Sequence, residues 1–103
     1  MKNNRSREAD QNEYDQIYMM GFDVWAEGSE AEYLQACRTS PKYARGIWYV
    51  LENESGTLIS SLIVYKLSPN QFGIGSIATP KPLRKQGYAS SLISDVIQKI
   101  EEE

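Results

Sequence analysis

The sequence contains no histidine and only one cysteine, Cys37, in 103 residues. Without histidine, the commonest general base and the commonest metal ligand are both missing. A lone thiol closes no intrachain disulfide and builds no zinc site. Long apolar runs are missing too, so nothing approaches the ~20 residues that span a bilayer. The polar opening, Met1 to Gln16, lacks the apolar stretch of a signal peptide. Basic excess is also lacking: 11 lysines and arginines face 14 acids, a formal net charge of -3. That balance argues against a nucleic-acid partner and leaves no polybasic patch for an anionic membrane. A reducing, cytoplasmic location is the expectation.

What is present suits one domain, residues 1–103. Hydrophobic residues make up 41% of the chain, enough for a packed core. Asn4 to Ala9 is polar, a short edge strand at most. Asp10 and Glu13 have capping-box spacing. Behind them Tyr14, Ile17, Tyr18, Gly21, Phe22 and Trp25 make one apolar helical stripe. Ser29 and Glu32 repeat the capping signal, and a shorter helix with Tyr33, Leu34 and Cys37 is expected to stop before Pro41. The period then changes. Ile47 to Leu51 and Leu58 to Leu67 flank Asn53-Glu54-Ser55-Gly56 and read as a β-hairpin. A turn at Ser68 to Gln71 leads to a third run, Phe72 to Thr79, where Gly73 and Gly75 predict a bulge or a close backbone approach. From Ala89 on, Leu92, Ile93, Val96, Ile97 and Ile100 share one helical face. Two helices, a three-strand antiparallel meander and a helix give an α/β (α+β) layer arrangement.

The chemistry concentrates where the third strand turns into the last helix. A helix start exposes N–H groups that lack intrahelical partners, and the helix dipole puts positive charge beside them. Phosphate is a natural occupant. Gly87 permits a backbone conformation that a Cβ opposes, and Arg84 and Lys85 add charge. Ser90 and Ser91 bring further donors. On the residues alone this is an anion site, or else a plain connection with a solvated Arg84-Lys85 pair. The G-x-x-x-x-G-K-[ST] and G-x-G-x-x-G nucleotide patterns are both absent.

The stretch Ile77 to Ala89 (IATPKPLRKQGYA) resembles the cofactor motif of the GNAT family of N-acetyltransferases. That motif is written [Q/R]-x-x-G-x-[G/A], and Arg84, Gly87 and Ala89 fill its fixed positions. The preceding helices and meander also resemble the family's N-terminal half. The resemblance implies an acyl-CoA N-acyltransferase-like mixed sheet with helices on both faces, here lacking the C-terminal strands. It further implies acetyl-CoA as co-substrate. Ile77, Ala78 and Thr79 would pair with the pantetheine arm, and the amides of Arg84, Lys85, Gln86, Gly87, Tyr88, Ala89 and Ser90 would hold the diphosphate. Arg84 would act through its backbone and position, not necessarily through its side chain. An acceptor amine, on a small molecule or a peptide, would attack the thioester directly.

Two departures accompany the resemblance. The sequence stops after the helix that follows the motif, whereas the family continues with further strands. The motif strand also carries no acid, so the catalytic base is unknown. Glu27 lies where the family lines its acceptor site, although a solvated loop carboxylate is the commoner role for such a residue. Tyr49 and Tyr65 are read as ordinary strand aromatics, and Cys37 as packing. The alternative to an enzyme is a non-catalytic CoA-binding or interaction half-domain. Its open sheet edge would pair with a second copy or a complementing chain.

Overall fold

The computed structural model describes residues 4–102. The elements run β1 (Arg5–Glu8), α1 (Tyr14–Met20), α2 (Phe22–Trp25), α3 (Glu30–Arg38), α4 (Pro41–Ala44), β2 (Ile47–Glu52), β3 (Leu58–Ser68), β4 (Gln71–Ala78) and α5 (Tyr88–Glu101). The four strands form one sheet in the order β1-β2-β3-β4, antiparallel at every pairing. On its far side β4 has no strand among the described residues.

Helices cover both faces, so the sheet has two cores. On one side Ile17, Tyr18 and Cys37 from α1 and α3 meet Trp48, Val50, Leu58 and Ile63. On the other, Leu92 and Val96 of α5 meet Leu51, Ile59, Leu62 and Val64. Leu58 to Val64 on β3 are accordingly all buried, as an inner strand sandwiched between two layers requires. Each fully buried aliphatic there contributes about 1.5–3 kcal/mol. The hairpin turn is built by Asn53, whose side-chain oxygen accepts from the N–H groups of Ser55 and Thr57.

Polar contacts hold β1, which explains why no apolar period announced it. Arg7 places its guanidinium against Glu13 at 2.8 Å and Glu52 at 3.3 Å. Buried Ser6 donates to Asp95 of α5 at 2.5 Å, and Lys99 donates to the Ser6 carbonyl at 2.7 Å. The edge strand is thereby tied to both neighbours.

The helical signals translate with two differences. Glu13 accepts from the Asp10 N–H at 2.8 Å, and Ser29 and Glu32 form the full reciprocal pair at 3.2 Å each. The first stripe, however, breaks at Gly21 into α1 and α2. Pro41, expected only as a stop, opens α4 instead: the Ser40 hydroxyl accepts from the Tyr43 N–H at 3.3 Å, and proline takes the first turn, where its missing donor costs nothing. The expected bulge exists, but just beyond the glycines. Between the Ile63↔Gly75 and Ser61↔Ala78 pairs, β4 advances one residue more than β3. The excess falls at Ser76 and Ile77, and Ser76 has φ +45°. No helix among the described residues is long and apolar enough to cross a membrane.

Candidate functional site

The connection after β4 is short and stiff. Lys81–Leu83 form a single 3-10 turn with Pro80 before it and Pro82 within it, and Gly87 caps α5 with φ +82°. Lys85 is also left-handed, at φ +66°. This path leaves consecutive backbone donors outside the helical bonding. Helical bonding begins only when the Ser91 N–H reaches the Gly87 carbonyl at 3.0 Å. Among the described residues, the N–H groups of Lys85, Gln86, Gly87, Tyr88, Ala89 and Ser90 have no acceptor. A Cβ built on Gly87 meets nothing within 4 Å. The glycine is therefore demanded by its φ alone, and the space beside it is open. A cleft of ≈350 Å³ lies there.

Eight of the residues expected at a cofactor line this cleft: Ile77, Thr79, Arg84, Lys85, Gly87, Tyr88, Ala89 and Ser90. Ala78 and Gln86 do not. Ala78 is buried in the first core, and its carbonyl accepts from the Ser60 hydroxyl at 3.0 Å. The Gln86 side chain accepts from the Tyr88 hydroxyl at 3.2 Å. The free run of donors also begins one residue later than expected, because the Arg84 N–H turns to the Lys81 carbonyl at 3.4 Å.

Arg84 spends its side chain inside the protein. Nε donates to the Thr79 carbonyl at 2.8 Å, and both terminal nitrogens reach the Asp23 carboxylate at 2.8 Å. The guanidinium holds Asp23 below the ordinary carboxylate value. One planar group thus closes the 79–84 loop and pins it to α2, a fork that lysine could not supply. No acidic residue lines the cleft, so the field at the α5 mouth comes from backbone dipoles and Lys85.

The other nominated residues scatter. Glu27 lines a separate cleft of ≈480 Å³ together with Trp25, Glu32, Tyr33, Cys37, Lys42 and Tyr43. Cys37 is buried at its inner wall, and burial pushes its thiol pKa up, which suits packing and not nucleophilic chemistry. Tyr49 packs on the α5 side of the sheet and Tyr65 on the other. Two residues that no sequence pattern singles out meet between the two clefts. The hydroxyls of Tyr43 and of Ser76, at the bulge, lie 3.3 Å apart. Ser76 neighbours Ile77 of the α5 cleft, while Tyr43 lines the Glu27 cleft. No spacing rule connects residues on a one-turn helix and a strand bulge, so only the fold reveals the pair.

No protein-family model matches the chain, and no curated protein matches it significantly. Solved structures share its fold. The chain is similar to a GNAT family acetyltransferase from Brucella melitensis in complex with acetyl-CoA (14% identity, 97% of this chain and 70% of that one, TM-score 0.68). It is similar to a GNAT family acetyltransferase from Elizabethkingia anophelis with acetyl-CoA bound (19% identity, 97% and 59%, TM-score 0.63). A transcriptional regulator from Bacillus halodurans also matches (21% identity, 97% and 75%, TM-score 0.66). The fold is GNAT-like, that of the acyl-CoA N-acyltransferases, and this chain spans 59% to 75% of those three neighbours.

Proposed function

We propose that the chain binds acetyl-CoA at the mouth of α5 and serves N-acetyl transfer to an amine. The carrying observation is the run of unpartnered N–H groups from Lys85 to Ser90, gathered around a left-handed Gly87 beside open space. Those donors fit a diphosphate: they are consecutive in the chain, the backbone fixes them, and the helix dipole reinforces them. Hydrogen bonds to charged groups contribute about 1.5–3 kcal/mol each, so several together are needed to outweigh the cost of association. The pantetheine arm, which carries amides, fits the outer side of β4 as an added strand would. Side chains already hold the carbonyls of Ala78 and Thr79, so this pairing falls mainly to Ile77. The two neighbours that hold acetyl-CoA support the reading.

The thioester carbon is electrophilic enough for direct attack by a neutral amine: the N–C bond forms, the C–S bond breaks, and the amine's surplus proton passes to the departing CoA sulfur directly or through water. The protein's part is to hold both reactants at contact distance and exclude alternatives. In this reading the acceptor, a small-molecule or peptide amine, enters by the Glu27 cleft, because Tyr43 joins that cleft to the bulge. Calorimetric titration tests the cofactor half. Saturable acetyl-CoA binding is expected, weakened when Gly87 carries a branched side chain. No heat and no thermal shift at millimolar acetyl-CoA would remove the proposal.

A second reading rests on the outer edge of β4, unpaired among the described residues. There the chain is a CoA-binding or interaction half-domain completed by a second copy or another chain. Thiol release from acetyl-CoA by a monomer in analytical ultracentrifugation decides for the enzyme. A dimer that binds CoA without turnover decides for the half-domain.

A further inference from the structure

A second region of the surface carries the charge of an anion site but is made of side chains. Lys42, Arg45 and Lys66 line one groove of ≈500 Å³ beside the Tyr65 ring, and no acidic residue lines it. Every other arginine meets a carboxylate: Arg5 with Glu52, Arg7 with Glu13, Arg38 with Asp15, and Arg84 with Asp23. Among the described residues, Arg45, Lys42 and Lys66 form no ion pair. In a chain of net charge -3, three unneutralised cations around one groove reverse the local potential.

Close packing brings the three together. A Cβ on Gly46 would collide with the Ile63 side chain and crowd the Tyr65 ring, so only glycine lets the end of α4 lie directly on β3. That approach sets Arg45 beside Lys66. Lys42 Nζ sits 5.8 Å from the Tyr65 ring centroid, a cation over an aromatic face. Lys42 also lines the Glu27 cleft, so the two depressions share a wall. Ser76, the chain neighbour of Ile77 at the α5 mouth, meets Tyr43 of the Glu27 cleft, and Lys42 is common to that cleft and the basic groove.

We propose that the acceptor amine also bears an anionic group, a carboxylate or a phosphate, and that Lys42, Arg45 and Lys66 hold it. This deepens the transferase reading and rests on it. The amine then lies in the cleft with Glu27 and Tyr43, while the anion anchors it from the far side. Such an anchor orients the nucleophile without touching the reacting atoms, and its contribution is affinity and placement.

The test compares inorganic phosphate, phosphoethanolamine and ethanolamine by amide-resolved NMR at fixed ionic strength. Phosphate is expected to shift residues 42–46 and 65–67 in addition to the α5 mouth. Phosphoethanolamine should bind at least about tenfold tighter than ethanolamine, the scale of one charge-assisted contact, and should also shift Glu27 and Tyr43. The Arg45→Gln/Lys66→Gln double variant should lose that preference and keep its thermal midpoint, since both side chains are exposed. Equal binding of the two amines overturns the proposal, as do phosphate shifts confined to the α5 mouth. Phosphate binding the groove as tightly as phosphoethanolamine, with Glu27 and Tyr43 unmoved, makes it a free-anion site and overturns it as well. A parallel acetyl-CoA titration of the unaltered chain separates the two ideas: its failure removes the transferase reading, whatever the groove binds.

Discussion

The α5 mouth and the basic groove solve one electrostatic problem with opposite materials. At the mouth the donors are main-chain amides, and the motif's arginine is committed elsewhere, to Asp23 and Thr79. At the groove the donors are exposed side chains on two elements, placed by a close backbone contact at Gly46. Amides fixed by a helix start lose no rotamer freedom on binding, whereas each lysine or arginine loses up to about 2 kcal/mol of it. The mouth is suited to one invariant group, the groove to a tolerant grip on variable ones.

Breaking the mouth should have the largest effect. Gly87→Val forces a β-branched residue to φ +82° and fills the open space beside it. Strain of roughly 1–2 kcal/mol together with lost donors should weaken acetyl-CoA about a hundredfold in calorimetry. Retained affinity would mean the amides are not the cradle. Next, Arg84→Ala releases the 79–84 loop from α2 without removing a single free amide. Acetyl-CoA affinity should fall by less than tenfold, with a lower melting midpoint by circular dichroism. An unchanged affinity would show that the mouth keeps its shape unaided.

Salt should separate the regions further. Raising ionic strength from about 0.05 to 0.5 M shortens the screening length to a few ångströms. Phosphate shifts at Arg45 and Lys66 should then need several-fold more phosphate, and those at Ala89 and Ser90 less of an increase. Acid should touch the mouth before the groove, because Asp23 holds the mouth's Arg84 whereas the groove's cations are ion-paired to no carboxylate among the described residues. Arg84 lowers Asp23 from its ordinary 3.8, and Arg7 lowers Glu13 and Glu52 from 4.5. Because these pKa values are depressed in the folded state, their stabilisation is complete above pH 4.5 and is lost as pH falls through the lower folded values. Melts should be level from pH 7 to 5 and drop below. The smallest expected effect is at Cys37, whose buried thiol should react with a chromogenic disulfide far more slowly than a free thiol at pH 8.

Local signals in the sequence carried much of the fold. The capping pairs, the Asn53–Gly56 hairpin and the Leu92/Val96 stripe each depend on residues within one element or turn, and each is where its spacing put it. The α5 mouth was legible for the same reason. Ile97, expected on the apolar face, is 43% exposed, because it lies at the edge of a helical stripe centred on Leu92 and Val96. What escaped was long-range. β1 is held by ion pairs and by Ser6–Asp95, 89 residues apart, and no period reports such contacts. Arg84 and Asp23 are separated by 61 residues, and the basic groove draws on two elements that meet only after folding. The helix expected to stop before Pro41 does so, at Arg38; that Pro41 itself opens α4 was not read from the sequence.

The Arg84 fork has an organisational meaning beyond its hydrogen bonds. It couples a loop near the chain's far end to a helix from its first quarter, so neither is shaped independently. Insertions or substitutions around Asp23 therefore reach a pocket they never line, and the mouth can be tuned from α2, outside its own lining.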